Sequence, residues 1–131
     1  MKWKIIACAV VGVALIVLFK GSSMAASGRW LVAQICPGGL KVNYYSDKQL
    51  VAPVCSRTER QVSIAYEDGV PAWGVPRDAF SARWEGFLLV PQDTEYGFYL
   101  QSDDGSRLYI DGEKIIDRWE AHDWIPGSHG T

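Results

Sequence analysis

The run Tyr96-Gly97-Phe98-Tyr99-Leu100-Gln101, followed by Ser102-Asp103-Asp104-Gly105-Ser106 and then by Arg107-Leu108-Tyr109-Ile110-Asp111-Gly112-Glu113, decides the fold class. Tyr96, Phe98 and Leu100 alternate with Gly97, Tyr99 and Gln101, the period of two that turns one set of side chains towards a core. The Ser-Asp-Asp-Gly-Ser segment reads as a turn, after which Arg107 to Ile110 alternates again. Asp111-Gly112 then stands between two alternating runs. A type I′ turn requires positive φ at both central residues, which Asp and Gly tolerate, so Glu113 to Arg118 pairs back on Leu108 to Ile110. Three successive antiparallel strands make a meander.

The same reading extends upstream. Leu40-Lys41-Val42-Asn43-Tyr44-Tyr45 and Gln61-Val62-Ser63-Ile64-Ala65-Tyr66 both read as half-buried strands, and Phe80 to Val90 alternates until Pro91 stops it. Asp68 to Asp78, which holds Gly69, Pro71, Gly74 and Pro76, cannot continue a ladder and reads as a surface loop. With about seven strands and no helical periodicity after residue 34, the expected fold is an all-β antiparallel sandwich or barrel.

The first part of the chain is different in kind. An uninterrupted apolar run from Ile5 to Phe19 is flanked by Lys2, Lys4 and Lys20, with Trp3 and Phe19 near its ends. No polar position creates an amphipathic face, so the run is expected to be one hydrophobic helix over residues 3 to 20. It is shorter than the ~20 residues of a comfortable transmembrane span and at the upper edge of a signal-peptide core. Lys2 and Lys4 hold its start in the cytoplasm, so the remainder is exported, either tethered to the membrane or secreted after cleavage at Ser23-Met24-Ala25. The expected organisation is a signal anchor or signal peptide over 1–21, a tether over 22–34 and a β domain over 35–131. The chain of 131 residues has a formal charge of −2, but without the three flanking lysines it keeps ten Lys and Arg against fifteen Asp and Glu. An acidic domain of this kind is no nucleic-acid binder.

Of the three cysteines, Cys8 lies inside the apolar run and reads as membrane filler. Cys36 and Cys55 are the remaining two, and an oxidising compartment makes them an expected disulfide, with two buried thiols as the alternative. The bridge would contribute roughly 3 kcal/mol through loop entropy.

Gly39-Leu40 followed by Tyr44-Tyr45, Phe80-Ser81-x-Arg83-Trp84-x-Gly86, Tyr96-x-Phe98, Ser102-Asp103-Asp104-Gly105-x-Arg107-Leu108, Asp111-Gly112 and Ile116-Asp117-x-Trp119 together resemble the protective-antigen-type domain family, in its order and spacing, over roughly residues 39 to 124. The resemblance implies a β-barrel or sandwich of the kind appended to bacterial toxins, glycosidases and adhesins, with carbohydrate binding as the usual role. Family members normally continue beyond the Ile116-Asp117-x-Trp119 block, whereas only Glu120 to Thr131 follow here. The expectation is a domain truncated in its C-terminal strands, with an open sheet edge that a partner would cover.

The resemblance also singles out Asp103 and Asp104. In flocculin-type members the corresponding pair, joined by a cis peptide, holds a calcium ion that ligates sugar hydroxyls. Calcium takes six to eight oxygens, and the later loop that completes the shell is absent or unrecognisable, so a partial, weak site is expected. The alternative is that Asp103 caps its own turn and Asp104 bonds a neighbouring strand or Arg107. Trp73, in the Gly/Pro loop, and Trp124 are candidate platforms for stacking on sugar rings, with core packing as the rival reading, while Trp84 in an alternating strand reads as core. His122 and His129 with Asp117 and Asp123 lack metal-ligand spacing.

No nucleophile elbow, zinc motif or phosphate-cradling loop is present, and no catalytic pair can be assigned. The sequence therefore points to a non-catalytic carbohydrate-binding or adhesion module. The alternatives are a structural or protein-interaction domain without a sugar site, and a fragment of a larger surface protein.

Overall fold

The computed structural model describes residues 2–10, 15–20, 34–62, 70–90, 95–102, 104–120 and 125–130. Among them the chain forms strands and no helix, arranged as two antiparallel sheets. The strands are β1 (Lys2–Val10), β2 (Leu15–Lys20), β3 (Gln34–Ile35), β4 (Leu40–Tyr45), β5 (Pro53–Glu59), β6 (Ser81–Leu89), β7 (Tyr96–Ser102), β8 (Ser106–Ile110), β9 (Glu113–Arg118) and β10 (Ile125–Gly130). The larger sheet runs β5-β4-β6-β1-β8-β9, with β3 pairing the far end of β6, and the smaller runs β10-β7-β2.

The alternation seen in the sequence is the alternation of burial. Leu40, Val42 and Tyr44 of β4 are wholly buried, and Tyr96, Phe98 and Leu100 of β7 are buried while Gly97, Tyr99 and Gln101 are not. Both sets join Ala82, Trp84, Leu88, Leu108, Ile110 and Ile116 in one core that spans the two sheets. Trp84 is 1% exposed, in agreement with its reading as core, and its ring meets that of Tyr44 edge to face at 6.3 Å. The hairpin between β8 and β9 closes through Asp111 at φ 49° and Gly112 at φ 90°, positive at both positions as a type I′ turn demands.

β5 was not legible as a strand. Paired with Leu40, Val42 and Tyr44, its inward positions carry Glu59, Arg57 and Cys55, so the apolar alternation is missing. β5 is an edge strand, and polar inward residues with Pro53 at its start suit an edge. The strand expected over 61–66 is not present at Gln61 and Val62, and its later residues lie outside those described.

The N-terminal run differs from the expected helix over residues 3 to 20. Lys2–Val10 lies between β6 and β8, in register from Lys2 opposite Leu89 to Val10 opposite Ser81, and Leu15–Lys20 pairs with β7. An unbroken apolar run rich in Ile and Val satisfies a strand buried in a sheet as well as a helix, and periodicity cannot separate the two. Ile5 and Ala7 point into the core. The expected three-strand meander is corrected: β7 and β8 lie in different sheets, β8 paired with β1 and β9 and β7 with β10 and β2, and among the described residues β9 ends the larger sheet as an edge. The tether over 22–34 lies almost entirely outside the described residues.

The expected Cys36–Cys55 disulfide is corrected: both are free thiols. The Cys36 amide bonds to the carbonyl of Phe87 on β6, whereas Cys55 is opposite Tyr44, itself opposite Ala82. Five residues of β6 separate those two levels, about 17 Å along the strand, well beyond the ~7 Å Cα limit of a disulfide.

Candidate functional site

The strand register brings several loops to one end of the sandwich. Tyr45 and Val10 both stand opposite Ser81, and Ala9 stands opposite Ser106, so the ends of β4 and β1 and the starts of β6 and β8 lie together. The segments 46–52, 71–80, the turn around 104 and the chain after Arg118 therefore share this end.

Segment 46–52 is rigid for a local reason. The carboxylate of Asp47 accepts hydrogen bonds from the amides of Gln49 at 2.6 Å, Val51 at 3.2 Å and Ala52 at 2.5 Å, and the Ser46 amide closes the loop on the Ala52 carbonyl. These amides, Ala52 foremost, hold the Asp47 carboxyl below the usual carboxylate range. Ser81 donates its hydroxyl to the Asp47 carbonyl, which fixes the loop to β6. From this loop Lys48 reaches across so that its Nζ is 3.6 Å from Oδ2 of Asp104.

Asp104 occupies the turn between β7 and β8 at φ 61°, a left-handed conformation that Asp tolerates. Ser102 donates to the Asp104 carbonyl at 2.9 Å and lies 2.8 Å from the Ser106 hydroxyl, so the turn is tied by its own serines. Asp104 does not bond Arg107 in the way the capping alternative proposed. Arg107 instead bonds Asp117 at 2.7 Å and lies over the Trp119 ring, 4.9 Å from its centroid. Asp103, Trp124, His122 and Asp123 lie outside the described residues. Among the described residues no group of three or more His, Cys, Asp or Glu side chains converges. The described carboxylate of the expected calcium pair faces an ammonium, so the described groups do not make up a calcium shell.

Trp73 stands apart. The Val75 amide bonds the Ala72 carbonyl at 3.2 Å, making Trp73 and Gly74 the two central residues of a turn. Gly74 has φ 83°, the positive value that a type II turn needs at its third position. Pro71 and Val75 on either side are buried, and Arg57 donates to the Pro71 carbonyl at 3.0 Å. Trp73 itself is 94% exposed, an indole held out by a loop whose flanks are anchored. Val51, Val54 and Val70 are also exposed on neighbouring segments, and Val54 Cγ1 lies 3.1 Å from where a Cβ on Gly74 would sit.

The anchor behind this loop was missed by the sequence reading. Glu59, on the inner side of β5, accepts from the Tyr44 hydroxyl at 2.8 Å, from Arg57 Nε at 2.6 Å and from the Trp84 indole at 2.8 Å. Arg57 lies over the Tyr44 ring and bonds its hydroxyl. A charge-assisted network on the rim of the core thus fixes Arg57, and Arg57 fixes the Trp73 loop. The only sequence signal was an Arg-x-Glu pair in a polar segment, which a solvated surface would also give.

A two-sheet antiparallel sandwich carrying its loops at one end, with the Arg-Trp-x-Gly strand, the Ser-Asp-Asp-Gly turn and the Asp-Gly hairpin in order, defines a protective-antigen-type β domain. The profile of the PA14 domain matches residues 37–130, and the chain belongs to that family. It is similar to the Anti-sigma-I factor RsgI3 of Acetivibrio thermocellus, 30% identical over 83 residues. That match covers 63% of this chain and 13% of the relative. No solved structure matches the chain.

Proposed function

We propose that this chain is an exported, non-catalytic carbohydrate-binding module of the adhesion type, with Trp73 as its stacking platform. The observation that carries the reading is the exposure of Trp73 at the tip of an anchored type II turn. Burial of apolar surface would ordinarily withdraw an indole from water, and its flanking Pro71 and Val75 are withdrawn. An aromatic face kept rigid and exposed meets the C–H face of a pyranose ring with little ordering cost. Membership of a family in which carbohydrate binding is frequent supports the same reading. Export is supported by the apolar run behind Lys2 and Lys4, which serves as a membrane anchor or a cleaved signal.

Calcium contributes weakly in this reading, because Lys48 already compensates Asp104. A second reading, a protein-interaction domain, is favoured by one observation: Val54, beside Gly74 of the Trp73 turn, is exposed as well. A glycan array probed with and without chelator separates the two. Sugar binding that survives chelator supports the platform, and binding to no glycan supports the protein-interaction domain.

A further inference from the structure

The apolar run satisfies two incompatible demands. As β1, Lys2–Val10 is paired along its whole length with β6 on one side and over Ile5 to Ala9 with β8 on the other. As a run from Ile5 to Phe19 flanked by Lys2, Lys4 and Lys20, it also has the composition that enters a bilayer, with cations placed for anionic headgroups. One stretch of backbone cannot hydrogen-bond to β6 and β8 and also bond within itself in lipid.

We propose that the N-terminal run is a strand-to-membrane switch: with Lys2–Val10 seated between β6 and β8 it closes the larger sheet, and in a lipid bilayer it leaves that slot, so closure of the sheet and membrane attachment are alternatives.

The seated strand carries marks of a removable one. Of its inward side chains, Ile5 and the small Ala7 are described, and both are buried in the core. Its outward Cys8 is buried opposite Arg83 and Arg107, and Arg83 leaves its Nε buried without a hydrogen-bond partner. Lipid would relieve that cost and bury Ile6, which the strand leaves partly exposed, while the lost backbone pairing is regained within a helix. Release of β1 separates β5-β4-β6 from β8-β9, because among the described residues no other strand joins β6 to β8. The proposal rests on the anchoring reading of this run and not on glycan binding.

Cys8 supplies the test. The Asp111 amide bonds the Lys4 carbonyl, which makes Lys4 and Asp111 a hydrogen-bonded pair, and two steps on from Ile6 opposite Tyr109, so is Cys8 opposite Arg107. Such pairs have Cα atoms about 5.5 Å apart, within disulfide reach. In the full chain with Cys36→Ser and Cys55→Ser, Arg107→Cys is oxidised in buffer and again with vesicles of phosphatidylethanolamine and phosphatidylglycerol. We expect an intramolecular Cys8 crosslink in buffer and a yield about tenfold lower in the protein that sediments with vesicles. Arg83→Cys, on the other side of β1, repeats the reading if Arg107→Cys loses its native near-ultraviolet dichroism. No sedimentation overturns the anchoring reading and the proposal with it. Sedimentation with the crosslink intact overturns the switch alone, and no crosslink in buffer with either variant shows that the strand is not seated.

Discussion

Trp84 donates its indole N–H to the carboxylate of Glu59 at 2.8 Å, across the rim of the core. The same carboxylate holds Tyr44 and Arg57, so its loss strands an indole, a hydroxyl and a guanidinium that are partly or fully out of water. Glu59→Ala is expected to destabilise the domain by about 2 to 4 kcal/mol, and Glu59→Gln by less, because the amide oxygen still accepts. Chemical denaturation of the variants checks this. Equal stability of Glu59→Ala and the wild type contradicts the network.

The hairpin gives a cleaner case. Gly112 has φ 90° and open space where a Cβ would stand. Gly112→Ala therefore meets no clash, and its cost is the backbone term alone, about 1 kcal/mol. A thermal midpoint unchanged in this variant would show that the turn relaxes to another type.

Among the described residues, two carboxylates contribute to the acid limb of stability. Asp117 is held below the usual range by its hydrogen bonds from Lys114 and Arg107, and Asp47 by the amides of Ala52, Val51 and Gln49. With the folded pKa below the unfolded one, the unfolded state binds more protons between the two values. The stability these groups confer is complete above the unfolded value, ~3.9, and is lost as pH falls through the folded value. Carboxyl NMR titration should find both midpoints below the ordinary aspartate value, and midpoints at or above it contradict the geometry.

Calcium affinity should be millimolar or weaker in the wild type. Lys48→Ala, which removes the ammonium beside Asp104, is expected to raise it severalfold, the effect of a partly exposed charge worth up to ~1 kcal/mol. Micromolar binding abolished by Asp104→Asn in calorimetry refutes the competition by Lys48.

Strands whose inner face is apolar were legible residue by residue: Leu40, Val42 and Tyr44, or Tyr96, Phe98 and Leu100, announce both their strand and its face. Asp111-Gly112 announced its turn because only positive φ closes a two-residue hairpin. β5 escaped because an edge strand needs no apolar inner face, and Glu59 and Arg57 stand on it. β1 and β2 escaped for the opposite reason, since a run apolar at every position carries no period to distinguish strand from helix. The exposure of Trp73 was legible from its Gly/Pro loop. Lys48 was not, because its distance to Asp104 depends on two loops remote in sequence. The disulfide failed because pairing cysteines by elimination ignores register, and Cys36 and Cys55 lie at opposite ends of β4.

The most direct test of the account is depletion of the protein from solution by insoluble cellulose, xylan, chitin and mannan, wild type beside Trp73→Ala. At 94% exposure, removal of the Trp73 indole should leave the folding midpoint within about 0.5 kcal/mol of the wild type. The account predicts that at least one polysaccharide retains the wild type and that Trp73→Ala weakens this affinity by about tenfold or more. Retention of both proteins with equal affinity, or of neither by any of the polysaccharides, contradicts it.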